Sequence, residues 1–162
     1  MKGNPKVIAL LNEALKNELT AVNQYWLHYR MLHNWGVYHL ADFERHESID
    51  EMKHADWLSE RILFLEGLPN FQALGRLRIG ETVEEVLRAD LELELEAVEQ
   101  LKGAIKDCED THDYVSRDLF TKILSSEEEH IDYIEQQLEQ VERMGIQNYI
   151  QLHSTPGPDG EN

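Results

Sequence analysis

Cysteine, proline, clustered basic residues and long apolar runs are all scarce in this chain, and each scarcity narrows what it can be. A single cysteine, Cys108, among 162 residues leaves no disulfide framework within the chain. Prolines stand only at 5, 69, 156 and 158, so the stretches 6–68 and 70–155 lack the residue that costs a helix interior about 3 kcal/mol. No apolar run approaches the roughly 20 residues of a membrane span. The N-terminal Met1-Lys2-Gly3-Asn4-Pro5 shows neither the apolar segment nor the small-residue cleavage site of a secretory signal. Lys and Arg number 15 against 32 Asp and Glu, a net charge of −17 and a pI near 4.7. With no basic cluster to displace counterions, a phosphate backbone is repelled. The expectation is a single soluble domain in the cytoplasm, with no nucleic-acid or membrane partner.

What is present is helical patterning. Hydrophobic residues make up 41% of the chain and mean hydropathy is −0.53, enough for a core beneath a charged surface. Thr82-Val83-Glu84-Glu85 reads as a capping box, and Asp110-Thr111-His112-Asp113 groups cap-forming residues at another boundary. Gly36, Gly67 and Gly145 follow periodic runs, while Gly103 lies inside one. Helices are expected near 5–34, 37–66, 82–109, 113–144 and 146–152, with no strand. Residues 1–153 form the domain and 154–162 have the composition of a disordered tail. Two connections are short, but the one from Gly67 to Glu81 extends to about 50 Å at ~3.3 Å per residue. A 27-residue helix is only about 40 Å long, so that connection can cross the bundle and leave the second and third helices parallel. Four long helices with one crossover describe an all-α, ferritin-like bundle.

Tracing the apolar stripes at 3–4 spacing exposes polar intruders on every helix. The first stripe reads Ile8, Leu11, Leu15, Glu18, Val22, Tyr25, Tyr29, Leu32. The second carries Glu51 and His54 towards Leu58, Ile62 and Leu65. The third reads Val83, Leu87, Asp90, Glu94, Ala97, Leu101, Ala104, Cys108, and the fourth Phe120, Ile123, Glu127, His130, Ile134, Leu138, Val141. Unpaired carboxylates on such seams cost several kcal/mol each or take up protons. Glu51-x-x-His54 and Glu127-x-x-His130 each put a carboxylate and an imidazole one turn apart on one face, which suits a metal ion. The pairs 18 and 94, 51 and 127, and 54 and 130 are all 76 residues apart, as expected of two metals related by a pseudo-two-fold axis. Four carboxylates match the charge of two divalent ions. A lone Glu-x-x-His is an ordinary solvated pair; two of them joined by two further glutamates make the di-iron carboxylate constellation. Carboxylate and imidazole without thiolate suit iron or manganese, although affinity alone does not exclude zinc.

The sequence also resembles the bacterioferritins from Met1 to about Leu152. The resemblance rests on Met1-Lys2-Gly3, Asn17-Glu18-Leu19, Asn23-Gln24-Tyr25, Glu47 through Asp56, Arg61 through Pro69, His112 through Asp118 and Glu127 through Asp132. It implies Glu18 and His54 as terminal ligands of one iron, Glu94 and His130 as those of the other, and Glu51 and Glu127 as bridges. It further implies a shell of twenty-four copies built from dimers, in which Fe(II) is oxidised by O2 or H2O2 and stored as ferric mineral. Met52 is rotated about 100° from Glu51 and cannot face the same metals. On pattern alone it is packing material, whereas the resemblance makes it the axial ligand of a haem b shared between two copies, with a small ferredoxin as electron donor. Tyr25, two turns from Glu18, is either an auxiliary hydrogen-bond or electron donor or an amphipathic core residue. His46 and Asp50, with Glu47, make either an iron transit site on the shell's inner surface or a solvated face. His28, His33, His39, His112 and His153 show no matched spacing and receive no chemistry. A rubrerythrin-like peroxidase needs cysteine pairs that this chain lacks. A di-iron oxygenase needs a larger fold, and a purely haem-binding or structural bundle leaves six aligned ligands without purpose.

Overall fold

The computed structural model describes residues 1–155. The helices are α1 (Pro5–Asn34), α2 (Tyr38–Phe64), α3 (Val83–Asp110), α4 (Tyr114–Met144) and α5 (Ile146–Leu152), within two residues of the expected bounds. Ser154 and Thr155 lie in a turn, and Ser154 Oγ donates to the Ile150 carbonyl. The rest of the tail expected at 154–162 lies outside the described residues.

Local chemistry sets the helix starts. Asn4 Oδ1 accepts from Lys6 N–H at 2.8 Å, with Pro5 at the first helical position. Thr82 Oγ1 accepts from Glu85 N–H at 3.2 Å, while the Glu85 carboxylate reaches one residue further back than a capping box requires, to Glu81 N–H. Asp113 Oδ1 accepts from Ser116 N–H at 3.0 Å. The α1–α2 turn needs Gly36 at φ 81°, where other L residues are strained.

α1 packs on α2 and α3 on α4, and the two hairpins join through α1–α3 and α2–α4 contacts. The direction of each helix follows from what meets at its ends. Gly3 N–H donates to Leu65 O, so α2 ends where α1 begins. Lys6 pairs with Asp107 at 3.3 Å, which puts the end of α3 there as well. α2 and α3 are thus parallel, and residues 65–82 traverse the bundle between them.

That crossover is held down by one face of α1. Asn12 donates to Leu68 O and accepts from Asn70 N–H; Thr20 Oγ1 accepts from Gly75 N–H, Gln24 Oε1 from Arg78 N–H, and His28 Nε2 from Gly80 N–H. Thr20, Gln24 and His28 are spaced i, i+4, i+8, so one helical stripe supplies acceptors to an extended chain that has no sheet partner.

The core comes in two parts. One end is built on Val7, Leu11, Ala14, Leu15, Leu58, Leu101, Ala104, Cys108, Phe120 and Ile123. The other is built on Leu32, Leu40, Val86, Leu87, Ile134 and Tyr149. Between them lies a layer of buried carboxylates and imidazoles. Among the described residues no helix is long and apolar enough to cross a membrane.

Candidate metal centre

Glu18 on α1, Glu51 and His54 on α2, Glu94 on α3, and Glu127 and His130 on α4 converge in this middle layer, each no more than 5% exposed. They form two overlapping donor sets. Glu18, Glu51, His54 and Glu127 each offer one atom within 4.8 Å of the others, and so do Glu51, Glu94, Glu127 and His130. Glu51 and Glu127 belong to both sets, which is what bridging carboxylates require.

Both imidazoles present Nδ1 to the carboxylates. His54 Nδ1 lies 3.0 Å from Glu127 and 3.5 Å from Glu18; His130 Nδ1 lies 3.2 Å from Glu51, 3.3 Å from Glu127 and 3.5 Å from Glu94. Glu18 Oε2, Glu51 Oε1, Glu127 Oε2 and His130 Nδ1 are buried without a hydrogen-bond partner. Native interiors seldom leave such atoms unpaired, and here they face one another, as cation ligands do. The donor set therefore fits a pair of divalent ions of the iron type.

Electrostatics agree. Burial, then the charge of Glu127, raises Glu51 and Glu94 well above the usual carboxylate range. Burial opposes charge on His54, yet its bonds to Glu127 and Glu18 push it up to about 10. His130 is raised likewise by Glu127, Glu47, Glu51 and Glu94. Without cations, protons compensate the carboxylates.

The shell around the donors is less symmetric. His130 Nε2 touches Glu47 Oε2 at 2.5 Å, so a carboxylate orients the imidazole from behind. Tyr25 is fully buried and its hydroxyl donates to Glu94 Oε1. Shifted by 76 residues, Glu47 becomes Ile123 and Tyr25 becomes Leu101, both in the apolar core beyond Glu18. The repeat that defines the ligands stops at the ligands.

Similarity along nearly the whole chain decides its family. The Ferritin-like domain family matches residues 8–144. The chain is 52% identical to the bacterioferritin of Brucella melitensis over 161 residues, covering 99% of this chain and 100% of that one. The chain belongs to the bacterioferritins. Two further bacterioferritins, from Mycobacterium tuberculosis and Streptomyces coelicolor, are 50% and 45% identical over 92% and 99% of this chain and 94% and 98% of their own lengths. It carries the iron-storage and ferroxidase function of that family.

The remaining residues singled out from the sequence fall in different places in this bacterioferritin. Met52 is 44% exposed, on the surface and away from the donor sets. Asp50 joins Glu47 and His130 in a third cluster of possible ligands. His46 is exposed, and its Nδ1–H donates to the Asp42 carbonyl at 2.7 Å. An open groove lined by Lys53, His54, Trp57, Lys122 and Glu129 adjoins the His54 half, with Lys122 Nζ 3.6 Å above the Trp57 ring. Cys108 is a buried thiol, its pKa pushed up to about 11 by burial, as the end of an apolar stripe suggests.

Sequence reasoning gave His28 no chemistry, yet it sits fully buried with Glu44 and Asp90 in a fourth cluster. Asp90 already stood out as an acid on the third stripe. Nothing in the sequence tied Glu44 to it.

Proposed function

We propose that this bacterioferritin takes up two Fe(II) ions per chain at Glu18, Glu51, His54, Glu94, Glu127 and His130, and oxidises them with O2 or H2O2. It holds the ferric product as mineral inside a shell of twenty-four copies assembled from dimers in the cytoplasm. The observation behind this reading is the pair of overlapping donor sets with unpartnered atoms facing inward. Bound there, two Fe(II) ions supply two electrons to a single oxidant molecule, which avoids release of a one-electron oxygen product. Glu51 and Glu127 span both ions; Glu18 with His54, and Glu94 with His130, close the two ends. Glu47 fixes the His130 ring, and Tyr25 donates to Glu94 from the side. Asp50 and His46 serve as a transit site towards the interior.

Met52 is the residue for a haem b held between two copies, one thioether from each. Its exposed thioether, one turn from the likewise exposed Ile49 on α2, fits an apolar flat ligand covered by a second chain. When bound, the haem carries electrons inward from a small ferredoxin so that stored iron leaves as Fe(II).

The deciding experiment is an anaerobic Fe(II) titration followed by oxygen. Rapid oxidation saturating at two irons per chain, then slower uptake by a particle of several hundred kDa, is expected. Absence of a saturable fast phase, or a dimer on sizing chromatography, refutes the reading.

A further inference from the structure

His39 and His153 face each other where α2 begins and α5 ends, 114 residues apart in sequence. Neither has an echo in the 76-residue repeat, which sets His39 against Val115 and His153 against Leu77. The repeat that built the six-donor site accounts for neither imidazole.

The backbone fixes both residues before their side chains come into play. His39 stands in the first turn of α2, whose start has no side-chain cap, and its amide donates to the His153 carbonyl at 3.0 Å. His153 closes α5, its own amide bonded to the Tyr149 carbonyl at 3.0 Å. Its imidazole is then held in place. The buried Tyr149 ring stacks on it with centroids 4.0 Å apart, and the Tyr149 hydroxyl is tied to Gln137. At its edge, Nε2–H donates to Gln140 Oε1 at 3.3 Å.

That last bond selects the tautomer. With the proton on Nε2, His153 Nδ1 carries a lone pair, and it points at His39 Nδ1 from 3.1 Å. Metal-ligating histidines are oriented in this way, with the outer N–H given to an oxygen and the other nitrogen left for the ion. The spacing suits one ion: two nitrogens each about 2.0–2.1 Å from a zinc stand about 3.1 Å apart when the N–Zn–N angle is roughly 100°. The ring planes are inclined at 62°, so each ring reaches the gap without stacking on the other. A proton on His39 Nδ1 bridges the same gap as a hydrogen bond. Moving it to His39 Nε2 frees a second lone pair with no change in net charge. Among the described residues no carboxylate or thiol joins the pair within 4.8 Å. Neutral nitrogen donors alone hold Ni(II), Cu(II) and Zn(II) better than Fe(II), so this pair and the carboxylate-rich six-donor site differ in the metal they favour.

We propose that His39 and His153 form a separate metal site, in which the two Nδ1 atoms hold one borderline divalent cation of the Zn(II), Ni(II) or Cu(II) kind, with water completing its coordination. The ion fastens α5, which is seven residues long and packed on α4, to the start of α2. The site stands whether or not the six donors carry iron.

Equilibrium dialysis against micromolar Zn(II) tests this on the wild type, His39→Gln, His153→Gln and the double variant. The wild type should bind one Zn(II) per chain more than either single variant. The double variant should lose no more than a single one, because both residues hold the same ion. Electron paramagnetic resonance gives a measurement that needs no variant: substoichiometric Cu(II), added to wild type whose six donors are held by excess Zn(II), should show hyperfine splitting from two nitrogens. Equal Zn(II) binding by all four proteins, a deficit caused by only one of the two residues, a deficit of two in the double variant, or a copper signal without two nitrogens overturns the proposal. Fe(II) oxidation by the wild type is scored separately: its failure would refute the ferroxidase reading and leave the dialysis result standing.

Discussion

Glu47 Oε2 rests 2.5 Å from Nε2 of His130, and among the described residues no carboxylate takes that place behind His54. A carboxylate behind a ligating imidazole fixes its tautomer and raises its basicity, and loss of such a partner typically weakens metal affinity 10–100-fold.

Glu47→Gln should therefore weaken one of the two metal sites by about 10–100-fold and leave the other nearly unchanged. Anaerobic Co(II) or Fe(II) titration followed by absorbance would turn from one steep saturation into two separated steps. Equal weakening of both steps would show that Glu47 does not act through His130.

Glu18→Ala should abolish rapid Fe(II) oxidation while the helices stay folded. In the metal-free protein it also removes one of the two carboxylates that hold the proton on His54, so the melting temperature should fall while the helices remain. Stopped-flow oxidation and circular dichroism check the two parts, and normal oxidation would remove Glu18 from the site.

The metal-free protein should lose stability as pH rises. Glu51, Glu94 and His54 all have folded-state pKa values above their ordinary ones. The folded chain therefore binds more protons than the unfolded one, and stability falls with increasing pH. For the glutamates the loss begins above the ordinary value near 4.5, and for His54 it runs from 6.5 to about 10. Metal binding displaces the same protons, so Zn(II) affinity should rise over that range. Thermal melts with chelator and with Zn(II) should diverge as pH increases; parallel curves would contradict the assignment.

Gln24→Ala removes the acceptor for Arg78 N–H and one donor to Asp90. Leaving those buried groups unpaired should cost roughly 1–3 kcal/mol, several degrees of melting temperature in a chain of this size. Hydrogen exchange should quicken at Arg78 before it does at the helix interiors.

Met52→Leu should keep the fold and Fe(II) oxidation and lose haem, seen as loss of haem absorption after reconstitution. Retention of an unchanged haem spectrum would show that another residue supplies the axial ligand.

The long helices, the crossover and the convergence of Glu18, Glu51, His54, Glu94, Glu127 and His130 were legible because each leaves a periodic trace, either an apolar stripe at 3–4 spacing or a 76-residue echo. The stripes themselves were read slightly off centre. Val7, Ala14, Leu19 and Gln24 are buried where Ile8, Val22 and Tyr29 were expected to be, since a helix packed on both sides buries more than one line. Glu44, Glu47 and His28 left no such trace. Their partners lie on other helices, and their repeat equivalents are Phe120, Ile123 and Ala104, so neither spacing nor echo marks them. A solvated face was one of two readings for His46, Glu47 and Asp50, and the burial of Glu47 and Glu51 on α2 makes sense only when His130 of α4, which faces both, is known.

Two greasy ends clamp a waist made of ionisable groups, and the stiffness of such a body depends on its filling. An empty waist is held only by the protons it takes up; an occupied one is where the four rods are cinched. The heat resistance of the folded chain is accordingly a gauge of its cargo, readable without any assay of turnover.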